Sequence, residues 1–335
     1  MQIERTTLVN CLESVSPGLS TRDIIEQADC FIFKKGRIIT FNDDVACSCD
    51  MDTGIEGAVK ASPLLNLLQK LKDKTLELKV TNKQIILQGK GRKAGIRMEK
   101  KIQLPIDSIE PAGDWHQLPK DFCEGVGMVE DCASSDESRF NLTCIHLTNT
   151  HVEATDGYQA SRFKIKIPIK ESMLVRHQAL NYASKITATK ISISKSWVHF
   201  QNANGLILSC RRYVEEYPLI DKVLLEVKGT STTLPQGLAI AAERASVFSA
   251  QNPDNQVIIT IEKNRVKVKG ESTGGWFWES KKAKYDGPCL NFTIPPTLLI
   301  KILKRNCKCI LTENRLKMTD DKYSYIVCLG TIAKE

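Results

Sequence analysis

The sequence predicts an α+β fold made of three copies of one domain, each with two helices packed on antiparallel sheets. Three observations lead there. Apolar two-strand patterns turn near Gly36, Asn149 and Lys263, and again near Asn82, Lys195 and Asn314. Those turns recur about 115 residues apart, a domain-sized period well beyond the 20 to 50 residues of a solenoid repeat. Each hairpin is preceded by a stretch of helical periodicity, so every copy reads helix, hairpin, helix, hairpin. The chain's 335 residues give each copy enough length for its own core. Turn-rich stretches at 106–115 and 224–231 read as linkers, which sets the domains at 1–112, 113–226 and 227–335.

The elements follow in order. A strand over 1–4 leads into a helix over 6–15, where Leu8, Cys11, Leu12 and Val15 recur at i, i+3, i+4 and i+7. Pro17-Gly18 stops it. Strands over 28–33 and 37–41 flank Lys34-Lys35-Gly36, and 45–51 supplies another. Ser62 is expected to cap the second helix with Pro63 in its first turn, and Leu64, Leu65, Leu67, Leu68 and Leu71 to form its buried stripe. The second hairpin spans 76–80 and 84–88, followed by a strand through 96–104. In the second copy the helices are expected over 120–132 and 174–183, with hairpins of 143–147 with 151–154 and of 190–194 with 197–201. The third has helices over 235–250 and 296–304, strands over 256–262 and 265–270, and a closing pair over 307–311 and 323–329.

Composition narrows the class. With 42% hydrophobic and 26% charged residues, the chain has an ordinary globular balance. No apolar run approaches the roughly 20 residues that span a bilayer, and residues 1–11 lack a signal-peptide core. The expectation is a cytoplasmic protein without a membrane partner. Lysine and arginine number 47 against 39 acidic residues, a net charge of +8 that suits a polyanion partner or simple solubility.

Twelve cysteines raise the question of metal. Cys47 and Cys49, like Cys307 and Cys309, are C-x-C pairs in strand-like runs, not the C-x2-C pairs of zinc ribbons. Side chains at i and i+2 share a strand face, so these read as buried small hydrophobes, and no metal or other cofactor is expected. An enzyme acting on nucleic acid would need paired carboxylates or a His or Cys nucleophile system. His116, His146, His151, His177 and His199 form no ligand spacing, and Asp43-Asp44 and Asp320-Asp321 fall in turns. No catalytic residue is expected. The loop over 89–95 imitates a phosphate-binding loop but lacks the Gly-Lys-Ser/Thr ending and the following helix, so it reads as a basic hairpin tip. Trp276-Phe277-Trp278 alternates strand faces, which places one side in the core.

Local motifs then carry a resemblance. Ala154-Thr155-Asp156-Gly157-Tyr158-Gln159-Ala160 is similar to the A-T-D-G-H-R-L run of the bacterial DNA polymerase III beta subunit, the sliding clamp family. Arg139-Phe140-Asn141-Leu142 resembles that family's R-x-x-L, and Tyr217-Pro218 with Lys222-Val223-Leu224 resembles its F-P-D-Y-R-x-V-L. The repeat covers essentially the whole chain, whereas these motifs are short. The chain also departs from the family. Tyr158-Gln159-Ala160 replaces His-Arg-Leu, the usual M-P-M-R-L tail is replaced by Cys328-Leu329-Gly330 and polar residues, and the charge is basic where the family is commonly acidic. An altered tail would suit a clamp of a phage or mobile element with its own partner peptide.

The resemblance implies a head-to-tail homodimer, a six-domain ring around double-stranded DNA with strands outside and helices inside. Each chain would form half of the ring. Such a processivity factor performs no chemistry and tethers the replicative DNA polymerase, which, like the clamp loader, docks a clamp-binding peptide. DNA would meet Arg5, Arg22, Lys70, Lys72, Lys74, Lys120, Arg176, Lys185, Arg244, Lys301, Lys304 and Arg305, expected on channel-facing helices or beside them. Lysines and arginines attract phosphate without reading bases, which suits sliding. The peptide would seat on Leu142, Thr155, Gly157, Tyr158, Gln159, Pro218, Lys222, Val223, Val327, Cys328 and Leu329, with Asp156 fixing the turn. Val247 and Phe248 match a pair used at the family's dimer interface. The rival reading is a clamp-fold nucleic-acid-binding adaptor or decoy that does not encircle DNA, and solution mass separates the two.

Overall fold

The computed structural model describes residues 1–20, 25–111, 113–225, 227–252, 254–305 and 308–331. Among these, seven α-helices stand among strands whose pairings are all antiparallel: α1 (Arg5–Val15), α2 (Ala61–Lys70), α3 (Phe122–Val129), α4 (His177–Lys185), α5 (Asp221–Leu225), α6 (Gly237–Ser249) and α7 (Pro296–Arg305). The chain groups into two compact units. The first holds Met1–Glu130, Thr143–His151 and Ile165–Glu216; the second holds Asp131–Leu142, Val152–Lys164 and Tyr217–Glu335. The middle copy of the repeat is thus divided between them. No described helix is long and apolar enough to cross a membrane.

In the first unit α1 packs on α2 and α3 on α4. Helix α1 buries Leu8, Val9, Cys11, Leu12 and Val15, the face its periodicity predicts. Helix α2 buries Leu64 and Leu68 but leaves Leu65, Leu67 and Leu71 half-buried, a narrower stripe than expected. Ser62 is not its cap. The strand Gly57–Lys60 runs directly into the helix, so Lys60 takes the cap position and Ser62 is already helical, accepting a bond from Asn66 Nδ2 at 3.1 Å.

Two further expectations are corrected here. Residues 174–176 form the strand Met173–Arg176, because this apolar, partly β-branched run pairs with Cys144–Leu147, placing Val175 opposite Ile145. Helix α4 therefore begins at His177. The stretch expected as a first linker contains the 3-10 turn Ile106–Ile109, and both isoleucines join the buried cluster of Ile32, Phe41, Ala58 and Trp197. The Phe41 and Trp197 rings lie 6.1 Å apart. Strand Val45–Asp50 pairs with Ile207–Tyr213, Cys47 facing Leu208, so one sheet continues from the first repeat into the second. Within it His199 is fully buried, its ring bonded to Ser194 Oγ at 3.0 Å and Ser209 Oγ at 2.8 Å. Burial disfavours the imidazolium and pushes its pKa down to about 4.

The second unit has two sheets. One runs Thr230–Thr233, Lys308–Leu311, Arg315–Thr319, Tyr323–Cys328, Gln159–Lys164. The other runs Gly275–Lys282, Arg265–Ser272, Val257–Glu262, Leu290–Ile294. Helix α6 packs on α7 and on Arg265–Ser272. Its Ala241, Ala242 and Ala245 keep the approach close, and at Gly270 a Cβ would run into the carbonyl of Ala245. Trp276 and Trp278 are exposed and Phe277 is half-buried, so the inward side of that strand is the phenylalanine's. The second expected linker is partly ordered as α5, whose Leu224 is buried with Ala160, Ile220 and Ile326. All eleven described cysteines are free thiols; Cys47 and Cys309 are buried, Cys49 is half-buried, and Cys307 lies outside the described residues.

Candidate functional site

A cavity of about 210 Å³ opens on the second unit. Its walls come from five places in the chain. The turn between the strands His151–Thr155 and Gln159–Lys164 supplies Thr155, Gly157, Tyr158, Gln159 and Ala160; the strand Tyr323–Cys328 supplies Ile326 and Cys328; Pro218, Leu219 and Ile220 lead into α5. Leu142, Arg139 and Arg315 complete it.

The turn is built by its own side chains. Asp156 Oδ1 accepts the backbone N–H groups of Tyr158 and Gln159, both at 2.8 Å. Thr155 Oγ1 donates to the Gln159 carbonyl at 2.7 Å and accepts from the Gly157 N–H at 3.1 Å. Gly157 sits at φ +94°, where an L side chain is strained, and a Cβ there would lie 3.0 Å from Arg139 Nη2. The Thr155 N–H donates to Tyr217 Oη at 2.9 Å, which ties the turn to the segment carrying Pro218. Gln159 Nε2 donates to Asp156 Oδ2 at 3.0 Å, and its Oε1 accepts from Tyr325 Oη at 2.9 Å. Asp156 therefore fixes the turn, as the sequence suggested.

The floor follows from strand alternation. Ala160 stands opposite Ile326, and both cluster with Ile220 and Leu224. Arg162 reaches Glu153 Oε2 at 2.5 Å and also pairs with Asp221, anchoring the first residue of α5. Leu219, by contrast, is 88% exposed at the mouth.

Leu142, Thr155, Gly157, Tyr158, Gln159, Pro218 and Cys328 line this cavity as the sequence reading implies. Three others do not. Val327 is 2% exposed because alternation turns it away from the face that carries Ile326 and Cys328. Leu329 is buried beyond the strand end, and Lys222 projects to solvent from α5. The side chain of Val223 lies outside the described residues. Arg139, Ala160, Leu219, Ile220, Arg315 and Ile326 line the cavity without having been expected to; alternation along 323–328 could have found Ile326, whereas no local signal marks Arg315.

The basic residues are less uniform than expected. Lys70 and Lys185 end α2 and α4, and Lys304 lies on α7, but Lys72 and Lys74 follow α2 and Lys120 precedes α3. These six lysines are exposed and make no ion pair among the described residues. Lys185 lies over the Tyr182 ring at 5.2 Å. The arginines are engaged. Arg5 donates to the carbonyls of Asp73 and Leu68 at 3.1 and 3.2 Å, closing the end of α2. Arg176 is on a strand, 3.5 Å from Asp44; Arg244 pairs with Glu279 at 2.9 Å; Arg305 and Lys301 share Asp131 at 2.9 and 3.3 Å. Arg22 lies outside the described residues.

Val247 on α6 is 65% exposed, while Phe248 is half-buried against Gly275. Among the described residues Gly275–Lys282 has a strand partner on one side only, and its Trp276 is 63% and its Trp278 48% exposed. The Lys267 ammonium lies 4.6 Å over the Trp278 ring. In the first unit Arg92–Glu99 is paired along one side with Gln84–Gly89 and on the other only at Met98 and Glu99.

No protein-family model and no curated protein matches the sequence. Solved structures do match. The chain is similar to the DNA polymerase III beta chain of Streptococcus pneumoniae TIGR4, with 18% identity, a TM-score of 0.86 and 99% of each chain covered. A DnaN sliding clamp of Bartonella birtlesii bound to griselimycin gives 15%, 0.88 and 99% of each chain. The DNA polymerase sliding clamp of Bacillus subtilis gives 17%, 0.84, 99% of this chain and 98% of the other. The likeness is one of fold, and it spans nearly the whole chain.

Proposed function

We propose that the chain is a DNA sliding clamp: a non-catalytic processivity factor that encircles duplex DNA as a head-to-tail dimer and recruits a DNA polymerase and a clamp loader through peptides seated in the groove. One observation carries the reading, the likeness of fold to sliding clamps over 99% of the chain. The groove supports it, since seven residues singled out by the resemblance line a single cavity with an apolar floor. Such a cavity gains affinity by burying one or two large side chains of a partner.

Dimerisation is supported by two strand edges, Arg92–Glu99, open but for Met98 and Glu99, and Gly275–Lys282, open among the described residues and flanked by exposed Val247, Trp276 and Trp278. An open edge with apolar flanks is an aggregation liability unless a partner covers it. Domain limits near residues 112 and 226 and a cytoplasmic site of action belong to the same reading. DNA would be met chiefly by Lys70, Lys72, Lys74, Lys120, Lys185 and Lys304, the lysines of the expected set that make no ion pair among the described residues.

The test is topological. Loaded by its cognate clamp loader on nicked circular duplex, the protein is expected to persist through a wash at about 0.5 M salt, where simple phosphate contacts fail. It is expected to leave once the circle is cut. Equal loss from circles and linear DNA would refute encirclement.

A further inference from the structure

Cys47 and Cys49 lie on the strand Val45–Asp50 of the first unit, and alternation sends the two faces of that strand to different neighbours. Ala46 looks into the buried cluster of Ile32, Phe41, Ala58 and Trp197. Cys47 and Cys49 look the other way, toward α1, which packs on this strand. Their partners in the ladder mark the same face: Thr40, opposite Cys47, donates to the Val15 carbonyl at the end of α1, and Ile38, opposite Cys49, is fully buried. The buried face of α1 carries Leu8, Cys11, Leu12 and Val15. Cys11 and Cys49 come together there, the Cys11 thiol donating to the Cys49 sulfur. The two differ in setting. Cys11 is 7% exposed, whereas Cys49 is only half-buried, its sulfur 3.8 Å from the Asp50 carbonyl. Hydrogen bonding from Cys11, helped by the Ser14 hydroxyl and opposed by partial burial and the Asp50 carboxylate, lowers the Cys49 thiol to about 7. The same contact, and then burial, holds Cys11 protonated. Burial pushes Cys30, Cys47 and Cys132 the opposite way from Cys49, each up to about 12.

We propose that Cys11 and Cys49 form a reversible dithiol–disulfide pair oxidised by hydrogen peroxide, with Cys49 as the attacking sulfur and Cys11 as the resolving one. Nothing in this chemistry depends on the groove or on DNA. An accessible thiolate with a second thiol beside it is the arrangement of a redox-sensing cysteine, whereas an isolated buried thiol is inert. In the first step the Cys49 thiolate attacks one oxygen of the peroxide. An S–O bond forms, the O–O bond breaks, hydroxide leaves, and Cys49 becomes a sulfenic acid. In the second step the Cys11 sulfur gives its proton to the departing hydroxyl and attacks the Cys49 sulfur. The S–S bond forms, the S–O bond breaks and water leaves. The peroxide takes up the two electrons that the two sulfurs lose, and with the proton released from Cys49 the products are one disulfide and two waters. Thiols already in contact close such a bond with little backbone movement. The bridge ties α1 to the strand Val45–Asp50, and a dithiol reductant opens it again by thiol–disulfide exchange.

The full chain is reduced, freed of reductant, treated with a small molar excess of hydrogen peroxide, quenched with iodoacetamide and mapped by mass spectrometry after non-reducing digestion. A Cys11–Cys49 disulfide is expected, lighter than the dithiol by two hydrogen atoms and lost on treatment with dithiothreitol. Cys49 is expected to react about tenfold faster than free cysteine at neutral pH, in proportion to its larger thiolate fraction. In Cys11→Ala the sulfenic acid on Cys49 has no resolving partner, and dimedone is expected to trap it. In Cys49→Ala, Cys11 is expected to stay reduced at the same dose. Should the buried Cys11→Ala variant fail to fold, the wild-type map still decides, because it identifies both partners of any bridge. A bridge from Cys49 to Cys47 or to a second chain would overturn the pairing. Oxidation of the exposed Cys289 and Cys328 ahead of Cys49 would overturn it as well. So would a Cys49 that advances to sulfinic acid while Cys11 remains open to alkylation after unfolding.

Discussion

Gly157 shows how much one position can hold. Its φ of +94° closes the turn, and its missing Cβ leaves room for Arg139 at the mouth of the groove. Gly157→Trp is expected to cost about 1 to 2 kcal/mol of stability through backbone strain, to lower peptide affinity at least about tenfold, and to leave dimerisation unchanged. Titration and sedimentation of the same preparation check all three, and wild-type peptide affinity would place the partner site elsewhere. His199 makes a different point, about pH. Its folded pKa of about 4 lies below the unfolded value near 6.5, so between those limits the unfolded chain binds more protons. Stability is therefore full above about pH 6.5 and falls as the pH drops toward 4, by on the order of 2 to 3 kcal/mol from this group. His199→Asn is expected to flatten the pH dependence between 6.5 and 5 in urea titrations, although carboxylates will still destabilise the variant at lower pH.

At the scale of elements, the strand Tyr323–Cys328 divides two tasks between its faces. Val327→Ala should cost about 1 to 3 kcal/mol, read as a lower urea midpoint, without changing peptide affinity. Leu219→Ala should do the reverse, since Leu219 lines the cavity while 88% exposed. A common effect on both quantities would contradict the separation. The same element shows what was legible in the sequence. Hairpins, the register of the repeat and the Asp156 turn could be read, because they depend on local alternation and turn chemistry. Val327 and Leu329, taken residue by residue from a family motif, do not line the cavity, because alternation turns Val327 inward and Leu329 is buried beyond the strand end. The strand Met173–Arg176 was read as helix because a short apolar run has no period of its own; its pairing with Cys144–Leu147 decides the matter. Ser62 failed as a cap because strand and helix adjoin without a loop, and nothing in the sequence announces that. Arg315 could not be found at all, since it joins Arg139 only through pairing of distant strands.

For the whole molecule, the two open strand edges set the expected assembly. Trp276→Glu places a charge on the exposed edge Gly275–Lys282 and is expected to convert a dimer to monomers in sedimentation, with an unchanged melting profile for the isolated fold. A wild-type monomer at micromolar concentration would favour a clamp-fold adaptor instead. The engaged arginines matter at this scale as well. With Arg5, Arg176, Arg244 and Arg305 bound within the chain, charge reversal of Lys72, Lys74 and Lys120 should reduce loading efficiency more than reversal at the arginines, when variants of equal stability are compared.

The pairing of Gln159–Lys164 with Tyr323–Cys328 has a consequence for synthesis. Two walls of one cavity are separated by about 160 residues of chain, a long loop to close and a slow contact to form. A nascent chain whose first 300 residues have left the ribosome can complete α1 through α4 but has no groove. Any partner seated in the groove would thus be withheld from unfinished chains. Premature stops or stalled translation upstream of Tyr323 would leave fragments that lack the groove and cannot compete with full-length protein for a segment seated there.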